Sequence, residues 1–390
     1  MKRIEKKGLL TFGLAALAAA LVLTGCVTVP PAGIEPSPGA QALSAGLAPD
    51  ARLTGERMAQ HWWTIFGDET LNKVIQDALK KNLDIRTAVA RIDEARASLG
   101  LVQAESLPSL GMNAGYSRQA LSEYDPMALL GAPTEATSAW RLGGAASWEL
   151  DLWGHVRYRS EAAVERLQSA ALQAENVRVS TAAEIARTYL LLRGTEAEIA
   201  LLEKDLAAQK KLAEIAKARC EAGAAVRTEA AAAEAELLRL SASMKTLEKE
   251  RSASLNALAK LSGEAPHALD ARLANAAFPL LPASVPVGLS SELARHRPDI
   301  LIAEKNLRAA LAEIGAAKAD FYPRASLSGS IGLQSLEFSD LGSWDARTFS
   351  IGPSFYLPLF EGGRLRQTLE LTQARERTAA IQYRKTVLDA

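Results

Sequence analysis

Cysteine is nearly absent from this chain. Two residues in 390, Cys26 and Cys220, exclude a disulfide scaffold. The four histidines, His61, His155, His267 and His296, lie far apart without paired ligand spacing, so nothing suggests a metal centre. Net charge is missing too: 45 basic and 45 acidic side chains cancel, which removes the electrostatic case for nucleic acid. No phosphate loop, nucleophile elbow or zincin motif is found, and Gly362-Gly363 reads as a tight strand-to-helix turn. No apolar run reaches the roughly 20 residues of a membrane helix. Aromatics are scarce at 5%, whereas alanine is abundant. With 48% hydrophobic and 23% charged residues, the composition is that of a folded protein built on long, closely packed helices.

The first residues carry Lys2, Arg3, Lys6 and Lys7 against Glu5, then an apolar stretch from Leu9 to Leu23. This is the pattern of a signal peptide over 1–25. Cys26 directly after Leu23-Thr24-Gly25 resembles the bacterial lipobox, which implies acylation of its thiol. Several acyl chains anchor stably where one is marginal. Val27 after that cysteine resembles lipoproteins sorted to the outer membrane. Cleavage would leave a net charge of about −3. Residues 26–61, with Pro30, Pro31, Pro36, Pro38 and Pro49, read as an extended tether.

The most informative feature is an internal repeat. Asp84 precedes Leu107-Pro108 as Asp299 precedes Tyr322-Pro323, at an offset of 215 in both blocks. Trp148-Glu149-Leu150-Asp151-Leu152-Trp153-Gly154 matches the block from Phe355 to Glu361 at an offset of 207. Each copy opens with a helical stripe, in the first case Leu71, Val74, Ile75, Ala78, Val89, Ile92, Leu99 and Val102 over 68–106, stopped by Pro108.

Two period-two segments follow in each copy. Leu110, Met112, Ala114 and Tyr116 alternate with polar or glycine residues, as do Trp140, Leu142, Gly144, Ala146, Trp148 and Leu150. Leu327, Ile331 and Leu333, then Phe349, Ile351 and Phe355, repeat the pattern. Runs of this length suit tilted strands crossing hydrocarbon, and aromatic residues sit near their ends. The expected lipid-facing positions are Leu110, Met112, Leu142, Trp148, Leu327, Ile331, Ile351 and Phe355. Glu149 and Asp151 would line a solvated lumen. Four strands cannot close a barrel, and open edges are not tolerated in lipid, so membrane strands imply an oligomer.

Beyond Gly154 a helical stretch runs to about Glu221, broken only by Gly194, with Ile185, Leu192, Ile199, Leu206 and Ala213 in heptad spacing. After Gly223 a second helix carries a seam from Ala230 through Leu237, Leu240, Met244 and Leu247 to Leu258 and Leu261, interrupted at Arg251 and Ser254. The first helix would be roughly 100 Å long and the two shorter ones roughly 57 Å each, which suggests two stacked half-length helices beside one long one.

Trp62-Trp63-x-x-Phe66-x-Asp68, Asn82-Leu83-Asp84-Ile85, Leu107-Pro108, the Trp148–Gly154 block, Arg219-x-x-x-Gly223, Arg297-Pro298-Asp299-Ile300, Phe321-Tyr322-Pro323 and Pro358-Leu359-Phe360-Glu361-Gly362-Gly363 together resemble the outer-membrane factor family. These are the TolC-like exit ducts of efflux pumps, and the chain looks most like their NodT-like lipoprotein branch. The resemblance implies an α+β fold: an internally duplicated helix–strand–strand–long-helix unit forming a trimeric 12-stranded outer-membrane β-barrel on a long periplasmic α-helical barrel. It implies no catalysis and no cofactor, but a passive exit driven by an inner-membrane pump, of RND type, through a periplasmic adaptor protein. By motif, Arg219 and Gly223 would lie at the hairpin tip where the adaptor docks, and Cys220 is an inert helix residue beside it.

The expected domains are the signal peptide 1–25, the lipidated tether 26–61, and a first efflux repeat 62–282. That repeat has strands near 109–118 and 140–152 and a helical hairpin at 155–262. The second repeat, 283–390, has strands near 325–334 and 347–359. It stops at Ala390 before a second hairpin, so a fragment or an incompletely encoded product is expected. The competing reading is a non-conducting coiled-coil structural lipoprotein of the envelope, which explains the heptads but not four matched strands.

Overall fold

The computed structural model describes residues 53–54, 61–274, 278–279, 282, 284–286 and 296–390. The signal peptide, Cys26 and most of the tether lie outside them. The described chain forms two compact units.

One unit comprises 94–169 and 303–386. Its centre is an antiparallel sheet of β1 (Ser109–Gln119), β2 (Thr137–Leu150), β3 (Arg324–Ser335) and β4 (Arg347–Tyr356), in that spatial order. Each repeat supplies one hairpin, and the hairpins join where β2 meets β3. At that join Gly143 stands opposite Gly332. A Cβ on Gly332 would lie 2.7 Å from the Leu142 carbonyl oxygen, and one on Gly143 3.0 Å from that of Ile331. Only glycine fits so close an approach of two backbones. Strand β2 starts three residues before the expected position and ends at Leu150, because the chain turns there into a helix.

Helices lead into and out of this sheet. Helix α3 (His155–Glu221) begins here, and α5 (Pro298–Ala319) packs on its start through Ala162, Ala309 and Ala312. A Cβ on Gly315 would lie 2.8 Å from the Tyr158 ring, so the small residues of α5 set the separation. Polar pairs border the contact: Ser169 with Asn306 at 2.9 Å, Lys305 with Glu165 at 3.1 Å, and Arg166 with Glu313. Helix α6 (Arg364–Asp389) follows β4.

The other unit comprises, among described residues, 53–54, 61–93, 170–302 and 387–390. Its core gathers Trp63, Leu71, Val74, Ile75 and Ala78 with Ile185, Tyr189, Leu192, Leu255, Leu258, Leu269 and Leu273. Trp63 comes from the short 3-10 helix Trp62–Phe66, and the others from α1 (Glu69–Lys81), the middle of α3, and the end of α4 (Arg227–Leu261) with the segment that follows it. Asp68 caps α1 by accepting from the Thr70 and Leu71 amides at 2.7 and 3.0 Å. Its second oxygen accepts from the buried Tyr189 hydroxyl at 2.6 Å. Burial, followed by that hydrogen bond, pushes the Tyr189 hydroxyl well above its usual range. Leu53–Thr54 pairs in parallel with Val285–Pro286, so the expected tether includes a strand contact.

Three expectations about the helices need correction or completion. The single helix over 68–106 is two, α1 and α2 (Leu83–Ala104). Asn82 divides them: its side-chain oxygen accepts from the Ile85 amide at 2.9 Å while its NH2 donates to the Leu261 carbonyl at 2.7 Å. A cap and a tertiary anchor together outweigh one more helical residue. Gly194 breaks nothing, since α3 runs through it without interruption for 67 residues. At the break in the α4 seam, Arg251 reaches Glu196 of α3 at 3.0 Å, so an ion pair fills the place of an apolar contact.

Candidate functional site

Strand register decides which side chains share a face. Trp148 stands opposite Leu327, Gly144 opposite Ile331 and Leu142 opposite Leu333. Leu110 faces Ala146 and Met112 faces Gly144, while Ile351 faces Gly329 and Phe355 faces Ala325. The eight positions expected to meet lipid therefore lie on one face of one sheet. That face is open: Leu110 is 83% exposed, Met112 80%, Ile351 76% and Phe355 74%. A sheet in water covers such a surface with a second layer.

The opposite face is polar. Arg141 donates to Gln334 at 3.4 Å and to the Ser117 hydroxyl at 3.3 Å, linking β1, β2 and β3. Ser326 and Ser354 pair at 2.7 Å, and Glu149 stands opposite Ser326. Aromatic rings mark both ends of the apolar face. Near the helices, the Trp148 indole donates to the Ser106 carbonyl at 2.9 Å. At the far end, Tyr116 and Phe338 both pack on Trp140, with ring centroids 4.4 and 5.0 Å apart. The Arg347 guanidinium lies 3.8 Å over the Trp344 ring. Sequence reading missed Phe338 and Trp344; the available signal was their position beside strand ends in an aromatic-poor chain.

Strands β1 and β4 are each paired on one side only. Among the described residues no strand covers their outer rows of peptide groups. Such rows cannot be left open in hydrocarbon.

At the far end of the long hairpin, α3 closes in a Schellman turn. The Ala224 amide donates to the Arg219 carbonyl at 2.8 Å and the Gly223 amide to that of Cys220 at 3.0 Å. Gly223 takes φ 70°, which glycine adopts without strain. Arg219 and Gly223 are exposed and Cys220 is half-buried.

Residues 74–264 and 289–390 match the outer membrane efflux protein family. Outer membrane protein OprJ of Pseudomonas aeruginosa is 32% identical over 381 residues, covering 97% of this chain and 78% of OprJ. The chain belongs to the outer membrane efflux protein family. Nodulation protein T of Rhizobium leguminosarum bv. trifolii is 28% identical over 372 residues, covering 95% of this chain and 78% of that protein. The crystal structure of the CmeC outer membrane channel of Campylobacter jejuni superposes with a TM-score of 0.81 at 26% identity, covering 89% of this chain and 73% of CmeC. This efflux protein is an outer-membrane exit duct of tripartite pumps, in the outer membrane and extending into the periplasm.

Other residues of this efflux protein serve the scaffold. Asp151 lies just past the end of β2, and its carboxylate accepts from the Val156 and Arg157 amides, at 3.2 and 2.8 Å, at the start of α3. Unbonded amides and the helix dipole attract an anion there more strongly than an open strand face does. The four histidines stay apart. His61 meets the Trp63 ring edge, His267 bonds to Asp270 and His155 bonds to Asp320. The Asp320 hydrogen bond raises the His155 pKa above its usual value. Burial pushes the Asp320 carboxyl up, but His155 and Arg324 outweigh it and hold the group below its ordinary range. Gly362 and Gly363, at φ 59° and 87°, turn the chain into α6. Among the described residues no His, Cys, Asp and Glu group could hold a metal, and no helix is long and apolar enough to cross a membrane.

Proposed function

We propose that three copies of this chain join their sheets edge to edge into one 12-stranded barrel, whose apolar face meets lipid and whose polar face lines a water-filled duct. The observation that carries this reading is the combination of an open apolar face with two unpartnered edge strands. Small molecules, drugs among them, leave passively. The chain catalyses no reaction, and an inner-membrane pump, of RND type, supplies the energy through a periplasmic adaptor. The adaptor docks at the hairpin tip, on Arg219 and Gly223.

Residues 1–25 are removed as a signal peptide, and Cys26 carries acyl chains that add a lipid anchor beside the barrel. The tether 26–61 leads from it to two efflux repeats, 62–282 and 283–390. Sliding of the helices along their heptad seam opens the periplasmic end.

Reconstitution of the protein in a planar bilayer tests this. Discrete conductance steps, with heat-modifiable trimers on native gels, are expected. Monomers without conductance would instead favour a structural coiled-coil lipoprotein. Arg219→Glu should abolish adaptor-dependent efflux in cells while leaving the bilayer conductance of the purified duct unchanged.

A further inference from the structure

We propose that the end of the apolar face away from the helices binds the phosphate of an anionic lipid through Arg118 and Arg347. One acyl chain of that lipid fills the cleft lined by Trp140 and Phe338. The inference rests on the lipid-facing barrel proposed above and adds the lipid chemistry that its outer rim selects.

Strand register places both arginines on the apolar side. Arg118 stands opposite Ser138, two residues beyond the Tyr116–Trp140 pair, and Arg347 stands opposite Leu333, itself opposite Leu142. Opposed residues share a face. Arg118 therefore extends the row of Leu110, Met112, Ala114 and Tyr116, and Arg347 that of Phe355, Ile351 and Phe349. The strands hold three other charges, Arg141, Glu149 and Arg324, and all lie on the polar side. The apolar side thus carries two cations and no anion, with both cations where the strands end. A charge facing hydrocarbon is costly at mid-bilayer and tolerated only where it reaches the headgroup layer.

Nothing described in the chain neutralises the pair. Among the described residues, the acids of the two loops at this end, Glu123, Asp125, Glu135, Glu337, Asp340 and Asp345, form an ion pair with neither arginine. Arg141, on the other face, is by contrast bonded to Gln334 and Ser117. Arg347 is held by the Trp344 ring, whose centroid lies 3.8 Å from its guanidinium carbon. A ring occupies the face of a guanidinium and leaves the N–H donors at its edge, which match two oxygens of a phosphate.

At the same end, a cleft of about 390 Å³ is lined by Tyr116, Trp140, Leu142, Phe338 and Leu341. Tyr116, Trp140 and Leu142 belong to the apolar side. Such walls suit an acyl chain, whereas the polar groups of a sugar or a peptide backbone would go unbonded there.

Arg118 and Arg347 also sit on the two edge strands, β1 and β4. Closure of the barrel brings Arg347 of one copy towards Arg118 of the next. Two guanidinium groups repel each other unless an anion lies between them.

Native mass spectrometry of the full-length oligomer in detergent, titrated with phosphatidylglycerol and with phosphatidylcholine, tests this. Phosphatidylglycerol should be retained about fivefold more. Arg118→Gln with Arg347→Gln should erase that preference while leaving oligomer yield and bilayer conductance unchanged, and Arg141→Gln should keep it. Three results, in protein that is oligomeric on native gels, overturn the inference and leave the barrel reading intact. They are equal retention of the two lipids, an unchanged preference in the double variant, and as large a loss in Arg141→Gln. Native monomers would overturn both. A photo-crosslinking phenylalanine analogue at Phe338 gives an independent readout in a chain that keeps both arginines. In vesicles of phosphatidylglycerol and phosphatidylcholine in equal parts it should attach mainly to phosphatidylglycerol. Attachment to neither lipid, or to both equally, counts against the site.

Discussion

His155 Nδ1 lies 3.1 Å from Asp320 Oδ1 and 3.3 Å from the Ala316 carbonyl oxygen, so the first residue of α3 is bonded to the end of α5. One repeat is thereby tied to the other at the point where helices give way to strands. Asp320 also accepts from Arg324 at 3.0 Å, which holds the start of β3 to the same carboxylate.

The pH dependence of this tie follows from the two shifts. His155 has a raised pKa, so its contribution is full below the ordinary imidazole value and is lost as pH rises through the raised one. Asp320 has a lowered pKa, so its contribution is present above the ordinary carboxylate value and is lost as pH falls through the lowered one. His155→Gln should therefore lower the melting temperature most near pH 5, with the deficit shrinking towards pH 9. Melting curves of the detergent-solubilised protein at both pH values check this; an equal deficit at both would refute it.

Tyr189→Phe removes the buried hydroxyl that donates to Asp68. Loss of a hydrogen bond to a charged partner costs about 1.5–3 kcal/mol. Asp68→Ala deletes the α1 cap as well and should cost more. Denaturant titration of the two variants, read by the signal of the helices, gives the comparison.

Gly332→Ala forces a Cβ to within 2.7 Å of the Leu142 carbonyl oxygen, at the join between the hairpins. Overpacking of this kind costs about 1–3 kcal/mol. Gly352→Ala, where no atom would lie within 4 Å of the new Cβ in the isolated chain, should be much milder. Yields of heat-modifiable oligomer for the two variants would separate them.

Ile351→Arg places a charge on the apolar face and should reduce membrane assembly, by about 2–4 kcal/mol if the residue sits at the bilayer midplane. Ser350→Arg, one residue along and on the polar face, should assemble normally. Equal assembly of the two would contradict the assignment of faces.

The sheet was legible in the sequence because two independent patterns coincide there. Leu110, Met112 and Leu142 alternate with polar neighbours, and Leu327, Ile331 and Ile351 repeat the alternation one copy later. Period two determines the face, and the repeat determines which segments belong together. The hairpin end was legible for a local reason: Gly223 supplies the left-handed residue that a Schellman turn needs.

What stayed hidden depends on contacts distant along the chain. Asn82 looks like one more polar helix residue, and only the Leu261 carbonyl, 179 residues away, makes it a divider. Asp151 has the spacing of a strand residue, and its role as a cap emerges only once Gly154 turns the chain and aims the first amides of α3 at it. The His155–Asp320 tie crosses from one repeat to the other and has no local signature.

The bare outer rows of β1 and β4 have a genetic corollary. In the cylinder proposed above, one faulty stave spoils the assembly, because a single gap leaves the whole wall unsealed. An allele damaged along either margin should therefore poison the product of an intact gene expressed beside it, and such lesions should behave as dominant.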